Sequence, residues 1–158
     1  MKTKTNAMRQ LDAAGIKYTP MEYEVDESDL SGVNIARQIG LPEEQVFKTL
    51  TAMGDKTGAV VFVIPCHMEL DLKKCAAVSG NKRVELVAVK ELLALTGYIR
   101  GGCSPIGMKK KLPTYFDESA ILYDEITVSA GIKGCQLLLS AEAVVKFTDA
   151  TLADITAI

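Results

Sequence analysis

The sequence predicts an α+β domain, a mixed and largely antiparallel sheet with helices packed around it. Three observations carry this expectation. Short runs of strand length alternate in polarity or are continuously apolar, several of them joined by glycine-rich turns. Other segments carry apolar residues at helical spacing between serine or aspartate starts and glycine stops. Strands and helices do not alternate strictly, as a doubly wound parallel sheet requires.

Taken in chain order, Ala7, Met8, Leu11 and Ala14 recur at helical spacing, and Gly15 follows as a stop. Met21, Tyr23 and Val25 alternate as a strand does. Ser31 caps a second helix carrying Ile35, Ala36 and Ile39, ended by Gly40 and Pro42. Residues 46–53 and 59–65 read as strands of a hairpin around a turn at 54–58. Asp71 caps a helix over 72–79, closed by Gly80; a short strand at 84–86 and a helix over 89–96 follow. Residues 101–107 form a loop. Strands are expected at 114–117, 121–123 and 126–130, then a turn at 131–134 and a returning strand at 135–139. Ser140 caps a last helix to about Phe147, and 151–158 offers a final strand.

The 158 residues fit a single domain over 1–158. A chain of this size buries roughly two-thirds of its unfolded surface and needs no metal or disulfide to fold. Its net charge of −2 is unlike that of a general nucleic-acid binder, so any RNA contact must come from a local patch. Cys66, Cys75, Cys103 and Cys135 form no C-x-x-C pair, and read as reduced small hydrophobes of a cytoplasmic protein. No signal peptide follows Met1, and the longest apolar run, 59–65, is too short to span a bilayer.

The first unusual feature is Gly101-Gly102-Cys103-Ser104-Pro105-Ile106-Gly107. Stretches without side chains let backbone N–H groups approach an ester oxyanion or a phosphate. Taken alone, the segment also fits a tight structural turn. It is neither a Walker A loop nor G-x-G-x-x-G, and Ser104 lacks a nucleophile-elbow frame. The second feature is Lys48, which shares a strand face with Val46 and Leu50 while Phe47 and Thr49 point the other way. A lysine there snorkels to water, finds a partner, or serves a ligand. Lys109, Lys110 and Lys111 follow the loop, as a solvated surface or as contacts to RNA phosphates, and Lys82 and Arg83 could extend that patch. His67 has no visible partner. Asp26, Glu27 and Asp29 suit a helix start better than a carboxylate dyad. Tyr23 is core or pocket wall. No Ser/His, Cys/His, metal or cofactor constellation appears, so an enzyme built on these residues supplies positioning and electrostatics, and the attacking atom comes from elsewhere.

Phe47-Lys48-Thr49-Leu50, the 101–107 loop with Lys109 and Lys110 behind it, and Val128-Ser129-Ala130-Gly131 with Gly134 and Leu137 resemble, in order and spacing, the signature blocks of the YbaK/EbsC family. The resemblance runs over nearly the whole chain. It implies a central mixed sheet with a barrel-like core and a pocket for the aminoacylated 3′ end of a tRNA. It implies Lys48 as the main functional side chain and the Gly101-Gly102 backbone as donor to the ester carbonyl. Tyr23, Thr49, Cys103, Ser104 and Ser129 fall at implied substrate-contacting positions, and Lys109 and Lys110 at RNA-contacting ones. The implied activity is deacylation of Cys-tRNA(Pro), with the substrate's own thiol attacking its ester and no metal or cofactor. The implied partners are aminoacylated tRNA(Pro) and, beside it, prolyl-tRNA synthetase; the protein is expected as a monomer or homodimer. Cys103 departs from the aliphatic residue usual in relatives. Two rival readings are an alanyl-tRNA(Pro) deacylase using an activated water, and a non-catalytic binder of RNA ends or nucleotides.

Overall fold

The computed structural model describes residues 4–157, and five α-helices and eight strands lie among them. Their order is α1 (Asn6–Ala13), β1 (Tyr18–Glu22), α2 (Gly32–Ile39), β2 (Phe47–Gly54), β3 (Gly58–Pro65), α3 (Leu72–Ser79), β4 (Val84–Leu86), α4 (Val89–Thr96), β5 (Thr114–Asp117), β6 (Glu125–Ser129), β7 (Cys135–Ser140), α5 (Ala141–Phe147) and β8 (Thr151–Ala153). The α+β character and the mixed pairing expected from the sequence are both present. The single central sheet is divided in two, however. A five-stranded sheet runs β4-β2-β3-β5-β8, with β3–β5 and β5–β8 parallel and the other pairs antiparallel. A three-stranded antiparallel sheet runs β1-β7-β6. One parallel bridge, Val46 to Thr127, joins β6 to the start of β2.

The helix ends follow the capping chemistry read from the sequence. Ser31 Oγ accepts the Asn34 N–H at 3.2 Å, and Gly40 closes α2 in the left-handed conformation at φ 74°. Asp71 accepts from the amides of Lys73 and Lys74, and Ser140 from that of Ala143. Replacing Ser31 with alanine orphans one first-turn donor. A loss of about 1 kcal/mol is expected, lowering the melting temperature by about 2–4 °C in a thermal scan.

Four expectations need correction. The strand expected around Met21, Tyr23 and Val25 lies earlier: β1 pairs only with β7, and as an edge strand it accommodates Pro20, which has no N–H to give. Ala14 is exposed and caps α1 instead of facing the core. Residues 121–123 form no strand, because Asp117 accepts from Ser119 N and Oγ and starts a 3-10 helix, Glu118–Leu122, that buries only Ala120. The last strand stops at Ala153, after which Asp117 Oδ1 accepts the Ile155 N–H. Ile158, like Met1–Thr3, lies outside the described residues.

Three apolar clusters result. The largest packs α1 and α5 against both sheets around Phe47, Val63, Phe116, Val128 and Leu137. The second fills the opposite face of the larger sheet, where α3 covers Phe62 and Ile64. The third is small: Ile35 and Ala36 of α2 press on Val46 and Cys66, with Tyr23 against them. That third cluster holds α2 over the seam where the two sheets meet.

Candidate active site

β2 touches β6 at the Val46–Thr127 bridge and then follows β3, while β4 pairs only with Ala52–Gly54. The first half of β2 is thus left with a free edge. Thr51 O accepts the Val87 N–H at 3.1 Å on that edge, so the alternation of the strand turns the backbone groups of Thr49 to the same side. A cavity of about 260 Å³ fills the gap. β2 walls it with Lys48 and Thr49, the hairpin β6–β7 with Ser129 and Gln136, and the loop after α4 with Arg100, Gly101 and Cys103. Ser31 and Gly32, at the start of α2, close the mouth. The size suits an amino acid and part of a nucleoside, below the roughly 300–1,000 Å³ of drug-sized sites. A larger depression of about 880 Å³ between α1 and β1 is bordered by surface residues such as Lys17, Thr19 and Glu125, and holds none of the candidates.

The loop is held from both ends. Lys109 N–H donates to Thr96 O at 2.9 Å, and Ile106 N–H to Ser104 Oγ at 3.2 Å. Tyr98 Oη donates to Ile106 O, and its ring lies where a Cβ on Gly131 would come within 2.9 Å. Burial pushes the Tyr98 phenol up to about 12. Gly101 takes φ 88°, open to glycine and strained for other residues, under the stem of Lys133. Lys133 in turn pairs with Glu27 at 3.1 Å, so the acidic stretch clamps the β6–β7 turn.

Lys48, Thr49, Gly101, Cys103 and Ser129 are therefore brought together on one cavity. Lys48 is half-buried, on the face that also carries Leu50, and among the described residues its ammonium makes no hydrogen bond or ion pair. Thr49 Oγ1 is buried without a hydrogen-bond partner. Unpaired polar groups at this depth are uncommon in native proteins unless a ligand or water completes them.

The other expected residues lie elsewhere. Tyr23 packs behind the wall with Ile35, Val46 and Cys66. Gly102 faces away, where a Cβ would meet the Ile132 backbone at 3.1 Å, and its N–H is already given to Ile99 O at 3.0 Å. Its amide is therefore engaged within the loop; the neighbouring amides of Gly101 and Cys103 have no partner among the described residues. Ser104 is fully buried as a loop brace. Lys109 and Lys110 are exposed behind the loop, Lys110 beside a separate depression with Gln10, Met108 and Phe147. Lys111 is paired with Asp149 at 3.2 Å. Lys82 and Arg83 brace the β2–β3 turn, their amides donating to Asp55. His67 is not isolated: its Nε2 lies 3.9 Å from Glu44 and it clusters with Glu43, at an exposed surface.

Sequence reasoning missed Arg100, Gln136 and the start of α2. The available signal was Thr127, Ser129 and Gln136, polar residues at alternate positions of a hairpin that its other face commits to the core.

A strand-edge cavity lined by two cations and a glycine-containing loop, with no carboxylate or imidazole among its lining residues, is the kind of site that takes a ligand bearing oxygen acceptors or negative charge. The chain belongs to the aminoacyl-tRNA editing domain family, whose model matches residues 31–147. It is 50% identical over 153 residues to EbsC of Enterococcus faecalis (strain ATCC 700802 / V583), by name a candidate Cys-tRNA(Pro)/Cys-tRNA(Cys) deacylase; the match covers 97% of this chain and 93% of the relative. A crystal structure of a candidate trans-editing enzyme for prolyl tRNA synthetase superposes with a TM-score of 0.82 at 25% identity, over 99% of this chain and 100% of that one. The crystal structure of a hypothetical protein shares the fold, with a TM-score of 0.85 at 22% identity, over 94% and 97% of the two chains. No helix among the described residues is long and apolar enough to cross a membrane.

Proposed function

We propose that this protein is a trans-editing deacylase that clears cysteine from mischarged tRNA(Pro), the cysteine thiol attacking its own ester. The observation that carries this reading is the composition of the cavity: donors and cations, with no side chain able to activate water. The two thiols in its lining are unsuited to attack. Burial pushes Cys66 and Cys103 up to about 11 each, so a thiolate fraction of only about 10⁻⁴ remains at neutral pH. The attacking sulfur then belongs to the substrate. It closes on the acyl carbon, the acyl–ribose bond breaks, a thiolactone leaves, and the thiol proton ends on the ribose oxygen. Lys48 and the Gly101 amide hold the ester oxygen. The first turn of α2 and Arg100 favour the negative terminal nucleotide.

Cysteine is close to proline in size, so a synthetase pocket built for proline rejects it poorly by shape. A second site that demands a thiol discards it, because alanine and serine carry no comparable nucleophile. The chain's net charge of −2 leaves little grip on a tRNA body beyond Lys109 and Lys110. That favours action in the cytoplasm beside prolyl-tRNA synthetase, by a single editing domain spanning residues 1–158.

The test offers Cys-, Ala- and Ser-tRNA(Pro) at catalytic protein concentration, together with an S-methylcysteinyl ester. Rapid loss of cysteine alone is expected, with the S-methyl ester stable. Preferred release of alanine would move the protein to the water-activating branch. Protection of every ester would make it a binder.

A further inference from the structure

The hairpin β6–β7 buries both of its faces. One face, with Ile126, Val128, Leu137 and Leu139, fills the main core. The other carries Thr127, Ser129 and Gln136, and in an antiparallel hairpin such a face ordinarily meets water. Here the three residues are 0%, 7% and 4% exposed. Thr127 and Ser129 are two apart on β6, and Ser129 is the register partner of Gln136 on β7, so the three share one patch.

The hydrogen bonds within this patch leave it one-sided. Thr127 Oγ1–H donates to Gln136 Oε1 at 3.2 Å, which occupies the acceptor end of the carboxamide. Gln136 lines the cavity, and its Nε2 has no partner among the described residues. Ser129 Oγ accepts the Gly131 N–H at 3.1 Å, so its own proton is free to be given. Two neighbouring donors therefore face the cavity with no protein acceptor between them. A group with lone pairs to spare, brought by a ligand, completes them.

We propose that Gln136 is a further catalytic residue: its Nε2–H donates to the carbonyl oxygen of the bound ester as negative charge builds there, with Ser129 O–H beside it. This rests on the ester-cleavage reading above. The sulfur–acyl bond forms and the acyl–ribose bond breaks without a proton leaving Gln136. Its part is a hydrogen bond that strengthens as the carbonyl oxygen becomes an oxyanion, the type of contact whose loss costs about 10²–10³ in kcat. Thr127 is a positioning residue, holding the carboxamide with its donors toward the cavity.

Gln136→Glu keeps the shape and removes the donor. At neutral pH kcat for Cys-tRNA(Pro) falls about 100-fold, with KM little changed. As pH falls through the carboxyl titration, the ratio of variant to wild-type rate rises, because a protonated carboxyl again offers a donor. Thr127→Val lowers kcat about tenfold, and Thr127→Ser restores it. A second readout needs no turnover and no variant fold. In the wild-type protein the Gln136 side-chain amide resonances shift when a hydrolysis-resistant, amide-linked cysteinyl-adenosine is titrated in. A kcat within threefold of wild type for a folded Gln136→Glu, a pH-independent ratio, or amide resonances unmoved at saturation would each overturn the assignment. An analogue that does not bind removes it as well. If wild-type protein turns over no ester while the resonances shift, the contact stands and the deacylase reading falls instead.

Discussion

Lys48→Ala is expected to lower kcat/KM for Cys-tRNA(Pro) at least tenfold while leaving the melting temperature little changed. The activity side follows from position. Lys48 is on the half of β2 with the free edge, lines the cavity with Gly101, and its ammonium has no hydrogen bond or ion pair among the described residues. Removing it deletes a cation from the place where the ester oxygen gains charge, and a tenfold loss corresponds to about 1.4 kcal/mol of transition-state stabilisation. The stability side follows from burial. Lys48 is half-buried beside Val46 and Leu50 and its side chain makes no ion pair among the described residues, so its removal breaks no such bond within the protein. Losing the packed stem leaves a small net change, and Lys48→Met, which keeps the stem, leaves a smaller one. Steady-state kinetics and thermal scans on the same samples check both halves. A rate that falls only as far as the folded fraction falls would reduce Lys48 to a snorkelling surface residue.

Lys48 was legible in the sequence because a strand alternates strictly, and a charge on an apolar face has few explanations. The loop was legible for a related reason: three glycines within 101–107 announce backbone used in place of side chains. Which backbone was not legible. The Gly102 amide is consumed by Ile99 O, a bond set by how the chain leaves α4 and by the close approach to Ile132, neither of which has a sequence period. Gln136 escaped for the opposite reason. Polar residues at alternate strand positions ordinarily signal water, and only the way β2 parts from β6 after one bridge turns that face into a cavity floor. The 3-10 helix at Glu118–Leu122 was misread because Ile121 and Leu122 look like strand residues, yet they are 59% and 78% exposed; the Asp117 cap decided the local structure. The sequence pattern thus reported elements and faces well. It could not report the gap between two sheets, which depends on pairing partners far apart in the chain.

That gap is kept open by a glycine outside the loop. Gly32→Ala is expected to cost about 1–3 kcal/mol, lower the melting temperature by several degrees, and reduce turnover about 100-fold. A Cβ at position 32 would lie 2.3 Å from Cys66 Cβ and 3.2 Å from its sulfur. Cys66 cannot yield easily: its N–H is held by Val46 O at 2.7 Å at the end of β3, and its sulfur lies 3.5 Å from Glu43 O. The start of α2 must move instead, taking Ser31 and Ile35 with it, and both line the cavity. Displacement of a wall by about 1 Å is enough to misplace a reacting group. Removing the clash from the other side isolates this cause. Cys66→Gly alone is expected to destabilise by opening space in the third cluster, while the double variant Gly32→Ala/Cys66→Gly recovers stability relative to Gly32→Ala. Thermal scans on the four proteins give the coupling, and Cys-tRNA(Pro) turnover shows whether the cavity recovers with it. Strictly additive losses in the double variant would mean that α2 is positioned by something other than its contact with Cys66.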